Sequence, residues 1–151
     1  MKESIKTLIE LGYSKSDAEE IVNSYPLNGF KDETLKENIK RNYKLLISLG
    51  YTKNEVIKMT KTLPALYSLS EENITNKINF LISLGYTKEG VLKMVKSLPQ
   101  LYGLSEEAIT NKINFLIGLG CTKAEVIKMT KTLPTLYGYS EENITKKIEF
   151  L

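Results

Sequence analysis

A period of 35 residues governs this chain. Gly50, Gly85 and Gly120 recur at that interval, and Pro64, Pro99 and Pro134 recur with them. The stretch from Thr62 to Lys88 is nearly interchangeable with the one from Ser97 to Lys123. Repetition at this length marks an array of small helical units, none of which can bury both faces of two short helices alone. Stacking on neighbours supplies the missing core. An earlier, degenerate copy is present too: Gly12 to Pro26 spans the same 14 residues as Gly50 to Pro64, whereas Gly12 to Gly50 is 38. Three residues are therefore inserted within the 27–36 stretch.

Each unit reads as two α-helices and a short turn. Ser70, Ser105 and Ser140 stand where an N-cap hydroxyl can accept from an orphan N–H, and each is followed by two glutamates that suit the helix dipole. Ile74, Ile78, Leu81 and Ile82 then form an amphipathic stripe, widened by Phe80 and Leu84. Gly85 stops this helix by taking a left-handed cap conformation. Thr87 is the cap of the second helix, whose apolar face is Val91, Leu92, Val95 and Leu98. Pro99 ends it by pushing Leu98 out of the helical region, and a 3₁₀-like turn leads to Ser105.

The expected fold is an all-α helical-repeat solenoid, right- or left-handed, of about four units. It forms one domain over residues 1–151. A degenerate capping repeat covers about 1–35, repeats follow at about 36–70, 71–105 and 106–140, and a terminal helix spans 141–151. The second helix of the first copy carries Asp17, Glu19 and Glu20, which suits a polar outer face.

The sequence argues against an enzyme. Histidine is absent and cysteine occurs once, at Cys121, so the commonest general base and the usual zinc donor sets are missing. Cys121 stands where Tyr13, Tyr51 and Tyr86 follow their glycines, which makes it a packing replacement and not a nucleophile. The paired glutamates are explained by their place at helix starts, and the glycines are single, so no phosphate-cradling loop exists. No cofactor or metal is expected. With no signal-like apolar segment and no apolar run of membrane-spanning length, the expected location is cytoplasmic.

The recurrent pattern runs glycine, Thr/Ser-Lys, helix, Leu-Pro-x-Leu, Ser-Glu-Glu, helix. It is carried by Gly50, Leu63-Pro64-Ala65-Leu66 and Ser70, by Gly85, Leu98-Pro99-Gln100-Leu101 and Ser105, and by Gly120, Leu133-Pro134-Thr135-Leu136 and Ser140. It resembles the mitochondrial transcription termination factor (mTERF) repeat, here as a short bacterial or mobile-element-like relative. The resemblance implies units of two α-helices and a 3₁₀ helix in a left-handed superhelix. It also implies nucleic-acid binding along a basic concave surface.

The residues themselves offer a matching feature. Each second helix carries lysine at three phases: Lys53, Lys58 and Lys61; Lys88, Lys93 and Lys96; Lys123, Lys128 and Lys131. Lysines three apart share a helix face, and stacked helices about 8–10 Å apart set their lysines in rows. Residues 36–70 hold seven basic and two acidic groups, against four and seven in residues 1–35. Arg41, the single arginine, joins the candidate contacts. The plain alternative is a solvated face filled with good helix formers.

Such a ladder reaches about four to six phosphates of a duplex, which predicts weak, salt-sensitive binding. One arginine leaves little for bidentate reading of guanine. Tyr67, Tyr102 and Tyr137 follow each Pro-x-Leu, and packing between units, hydroxyl at the edge, is favoured over base stacking. Asn76, Asn79, Asn111 and Asn114 are expected in solvent.

Two functions follow. The first is a non-enzymatic nucleic-acid-binding module in transcription regulation or termination, with double-stranded DNA ahead of RNA. The second is a protein-interaction scaffold without a nucleic-acid role, docking a partner or a second copy through the C-terminal end, where Ile148, Phe150 and Leu151 face no following unit.

Overall fold

A computed structural model of the chain describes residues 1–149, the side chains of 148 and 149 excepted. Among these residues every regular element is helical: α1 (Glu3–Glu10), α2 (Lys15–Asn23), α3 (Asp32–Leu49), α4 (Lys53–Thr62), α5 (Glu71–Ser83), α6 (Lys88–Ser97), α7 (Glu106–Gly118), α8 (Lys123–Thr132) and α9 (Glu141–Glu149). Short 3₁₀ turns follow each second helix, at Leu27–Gly29, Pro64–Ser68, Pro99–Tyr102 and Pro134–Gly138. The chain divides into two compact units, Met1–Asn76 and a second that begins at Lys77, the division falling within α5.

The local signals act as their chemistry demands. The hydroxyls of Ser70, Ser105 and Ser140 accept from Asn73, Ala108 and Asn143 N–H at 3.0–3.1 Å. Thr87 accepts from Gly90 N–H at 3.0 Å. Thr52 and Thr122 go further and form reciprocal capping boxes with Glu55 and Glu125. Leu98 leaves the helical region at φ −138°, and Pro99 opens the 3₁₀ turn. Gly85 adopts φ +120°, a conformation that a Cβ would strain.

The buried stripe keeps the sequence period. Ile39, Ile74, Ile109 and Ile144 are inaccessible, as are Leu46, Leu81 and Leu116 and Val56, Val91 and Val126. Ile82 is a correction: it is 37% exposed, with Ile47 and Ile117 alike. Ile74, Ile78 and Leu81 centre the buried face, and at 3.6 residues per turn Ile82 falls about 70° to one side. Phe80, Leu84, Leu92 and Leu98 are half-buried. Met94, 1% exposed, packs deeper than Leu92 of α6 or Leu98 at its C-cap.

The first unit closes its core with Ile5, Leu8, Ala18, Ile21, Val22, Leu27, Leu35 and Ile39. The inserted residues have a structural use here. They begin α3 early, at Asp32, and Asp32 caps α1: its carboxylate accepts from Glu3 N–H at 2.8 Å, Ser4 N–H at 3.2 Å and the Ser4 hydroxyl. Lys2, the residue at the head of α1, makes no cap of its own. Asp17 of α2 is turned toward α4 and not wholly outward, since it pairs with Lys61 at 3.2 Å.

A brace recurs between the first helix of each repeat and the chain before the next serine cap. In the first unit Asn42 of α3 donates to the Leu66 and Leu69 carbonyls, both at 2.8 Å. In the second, Lys77 of α5 donates to Leu104 O and Lys112 of α7 to Tyr139 O, each 27 residues on. Asn42, Lys77 and Lys112 share one repeat phase. Burial lowers the Lys77 pKa, against the pull of Glu106.

Candidate nucleic-acid interface

All nine lysines of the predicted ladder are exposed. Lys53, Lys58 and Lys61 lie on α4, Lys88, Lys93 and Lys96 on α6, and Lys123, Lys128 and Lys131 on α8. Their positions are not equivalent. Lys61, Lys96 and Lys131 occupy the last turn, where the helix dipole favours a cation regardless of any ligand. Lys58, Lys93 and Lys128 sit mid-helix, where the dipole gives them no such reason.

In the first unit much of the basic charge is spoken for. Lys61 pairs with Asp17 at 3.2 Å. The Lys53 side chain crosses Gly12 so closely that a Cβ there would lie 2.1 Å from its Cε. Arg41 turns into the repeat brace, donating through Nη2 to Leu69 O at 2.9 Å and through Nε to Asn42 Oδ1 at 3.1 Å. The guanidinium thus braces the chain, and Lys53 and Lys58 are the exposed cations of α4 without an ion pair among the described residues.

In the second unit Lys88, Lys93, Lys123, Lys128 and Lys131 are exposed and, among the described residues, have no carboxylate partner. Lys131 passes close to α6: a methyl on Gly90 would lie 3.9 Å from its Cε. Lys128 rims an apolar groove of about 420 Å³ floored by Leu116, Met129, Leu136 and Ile144. Lys147 rims it too, with Nζ 4.8 Å from the centre of the Tyr139 ring. Leu133, 46% exposed, lies along the same groove.

The first helices present different chemistry. Thr110, Asn111, Asn114, Ile117 and Gly118 are exposed on α7, and Thr75, Asn76, Asn79, Ile82 and Ser83 on α5. Those five-residue faces of α5 and α7 carry no charge, whereas α3 carries exposed Lys40 and Lys44 and α9 exposed Lys146 and Lys147. The asparagines sit in solvent, as their sequence pattern implies.

The repeated tyrosines are buried outright. Tyr67, Tyr102 and Tyr137 are 0%, 3% and 4% exposed, which removes them as base-stacking platforms. Their hydroxyls are not at an edge. Tyr67 bonds Tyr13, which bonds Thr60; Tyr137 bonds Tyr86, which bonds Thr130. Burial raises the pKa of all four tyrosines. Cys121 is half-buried. Among the described residues no group of three or more Cys, Asp or Glu side chains is arranged to hold a metal, and no helix is long and apolar enough to cross a membrane. Of the C-terminal apolar trio, Phe150, Leu151 and the Ile148 side chain lie outside the described residues.

Paired helices, proline-led 3₁₀ turns and a core that repeats every 35 residues define a helical-repeat protein of the solenoid class. The mTERF family model matches residues 1–151, the whole chain, and the chain belongs to the mTERF family. That family is known for nucleic-acid binding and transcription termination, and its members are generally non-enzymatic. Comparison with curated proteins returned no match.

Proposed function

We propose that this chain binds nucleic acid without catalysis, contacting phosphates through the lysines of its second helices, and acts in transcription regulation or termination. The observation that carries this reading is the recurrence of exposed mid-helix lysines, Lys58, Lys93 and Lys128, at one phase of three successive second helices. The outer lysines, Lys53, Lys61, Lys88, Lys96, Lys123 and Lys131, extend the contact. Arg41 contributes through the brace it stabilises. Duplex DNA is proposed ahead of RNA because lysine supplies point charge for a phosphate backbone and reads no base by itself.

The test is fluorescence anisotropy with random duplex DNA and single-stranded RNA across a salt series. With about four phosphates neutralised, affinity for the duplex falls by roughly two decades between 50 and 200 mM salt. Lys58→Glu, Lys93→Glu and Lys128→Glu together abolish binding and leave the thermal melt unchanged. Salt-independent binding, or none at low salt, rejects the reading. The apolar groove beside Lys128 and Lys147 favours a second function, docking of a protein partner or a second copy, which sedimentation at high concentration tests directly.

A further inference from the structure

Within each unit the third residue of one second helix is approached by a lysine of the next. In α2 this residue is Asp17, whose N–H bonds the Ser14 cap and whose carboxylate pairs with Lys61 at 3.2 Å. In α4 and α8 it is Glu55 and Glu125, each closing a capping box. In α6 alone it is glycine. Gly90 bonds the Thr87 cap as Asp17 bonds Ser14, and Lys131 approaches it from α8 as Lys61 approaches Asp17 from α4.

Gly90 is buried, but its backbone does not call for glycine, since its φ is not in the left-handed region. Within a helix glycine is among the least favourable residues, and here it forfeits the box that Thr52–Glu55 and Thr122–Glu125 both make. A Cβ at Gly90 would sit 3.0 Å from Thr87 Oγ1, a tight contact, yet Glu55 and Glu125 stand in the same relation to their threonines. Glutamate there would restore the capping box. What glutamate would also do is set a carboxylate beside Lys131.

We infer that Gly90 is a charge-releasing determinant of polyanion binding: it leaves Lys131 of α8 free to take a phosphate. The physical ground is counterion release. A free lysine gives up a condensed cation from the nucleic acid when it meets a phosphate. A lysine already paired, as Lys61 is, must first part from its carboxylate, and the exchange yields less. Among the described residues Lys131 has no carboxylate partner, and Glu89, one residue before Gly90, is exposed and makes no ion pair with it. This inference rests on the nucleic-acid reading above and names one determinant of affinity within it.

Gly90→Glu and Gly90→Gln separate charge from folding, since either side chain can complete the capping box but only glutamate carries charge. Binding of a labelled random duplex is measured by anisotropy from 50 to 200 mM salt, beside thermal melts of each variant. Both variants are expected to melt at or above the parent. Gly90→Glu binds about threefold to tenfold more weakly at 50 mM salt, with a salt slope smaller by about one. Gly90→Gln binds like the parent, and Asp17→Asn, which frees Lys61, binds more tightly. Equal affinity of the Glu and Gln variants, with the parent binding DNA, overturns the inference and leaves the proposed function standing. Absence of binding by the parent itself overturns both.

Discussion

The hydroxyls of Tyr13 and Tyr67, 54 positions apart in sequence, lie 2.5 Å from one another, and both rings are buried. Thr60 completes the set at 2.7 Å from Tyr13. The Thr60 hydroxyl donates to Val56 O at 2.8 Å, which leaves it to accept from Tyr13, whose oxygen then accepts from Tyr67. One hydroxyl chain thus joins the turn after α1 to α4 and to its 3₁₀ turn. In the second unit Tyr86, Thr130 and Tyr137 repeat it.

Removing one member of this chain orphans the next. Tyr13→Phe or Tyr67→Phe alone should cost about 1–3 kcal/mol, because a buried hydroxyl loses its partner. The double variant should cost less than the two added together, since neither hydroxyl then remains to be satisfied. Urea unfolding of the four-member cycle reads this out. Strict additivity would show that the hydroxyls act independently.

Alkaline pH should loosen both units. Burial raises the pKa of Tyr13, Tyr67, Tyr86 and Tyr137, so folding favours their neutral, protonated forms. Their contribution is complete below the unfolded value of about 10 and is lost as pH climbs above it toward the folded values. Absorbance at 295 nm, followed with circular dichroism, should show a late tyrosine ionisation coincident with loss of helix. Full ionisation of all nine tyrosines while the helices persist would refute this.

Acid should act through Asp32. Burial opposes ionisation there, but the hydrogen bonds from Ser4 and from the Glu3 and Ser4 N–H groups outweigh it and hold the carboxyl below its ordinary range. That contribution is present above the unfolded pKa and disappears as pH falls through the folded one. Asp32→Ala should cost about 0.5–2 kcal/mol at neutral pH, as loss of a helix cap does, and should flatten the acid limb of the stability curve. An unchanged acid limb would place the acid sensitivity elsewhere.

The brace from Lys77 should matter more than any lysine of the ladder to folding. Lys77→Ala leaves the Leu104 carbonyl without its side-chain donor and should cost about 1–3 kcal/mol. Lys93→Ala, on the exposed face of α6, should stay within about 0.5 kcal/mol of the parent. Paired chemical denaturation curves decide it, and equal effects would deny the brace its role.

What was legible in the sequence was whatever a few neighbouring residues decide. Ser70, Ser105 and Thr87 cap because a hydroxyl beside a helix start meets an N–H three residues on. Gly85 and Pro99 end helices through their own backbone geometry. The lysine phases and their exposure follow from helical spacing alone. Partnerships across the fold were not legible. Nothing local tells that Asp32 reaches back to Ser4, or that Asp17 meets Lys61. Lys77 and Lys112 lie on first helices and went unassigned, although their shared phase with Asn42, beside the buried Ile78 and Ile113, was a signal. Ile82 was misplaced for a simpler reason: it belongs to the margin of its stripe.

The brace and the hydroxyl chain divide their labour by reach. The brace closes inside one period, from a first helix to the residue before the next cap, whereas the tyrosine chain links one period to the next. An in-frame duplication of one period in the gene would therefore deliver a segment that already carries its own fastening and its own coupling to a neighbour. Such a chain can lengthen by copying, with no compensating change elsewhere, and each added copy brings three more lysines to the same side of its second helix.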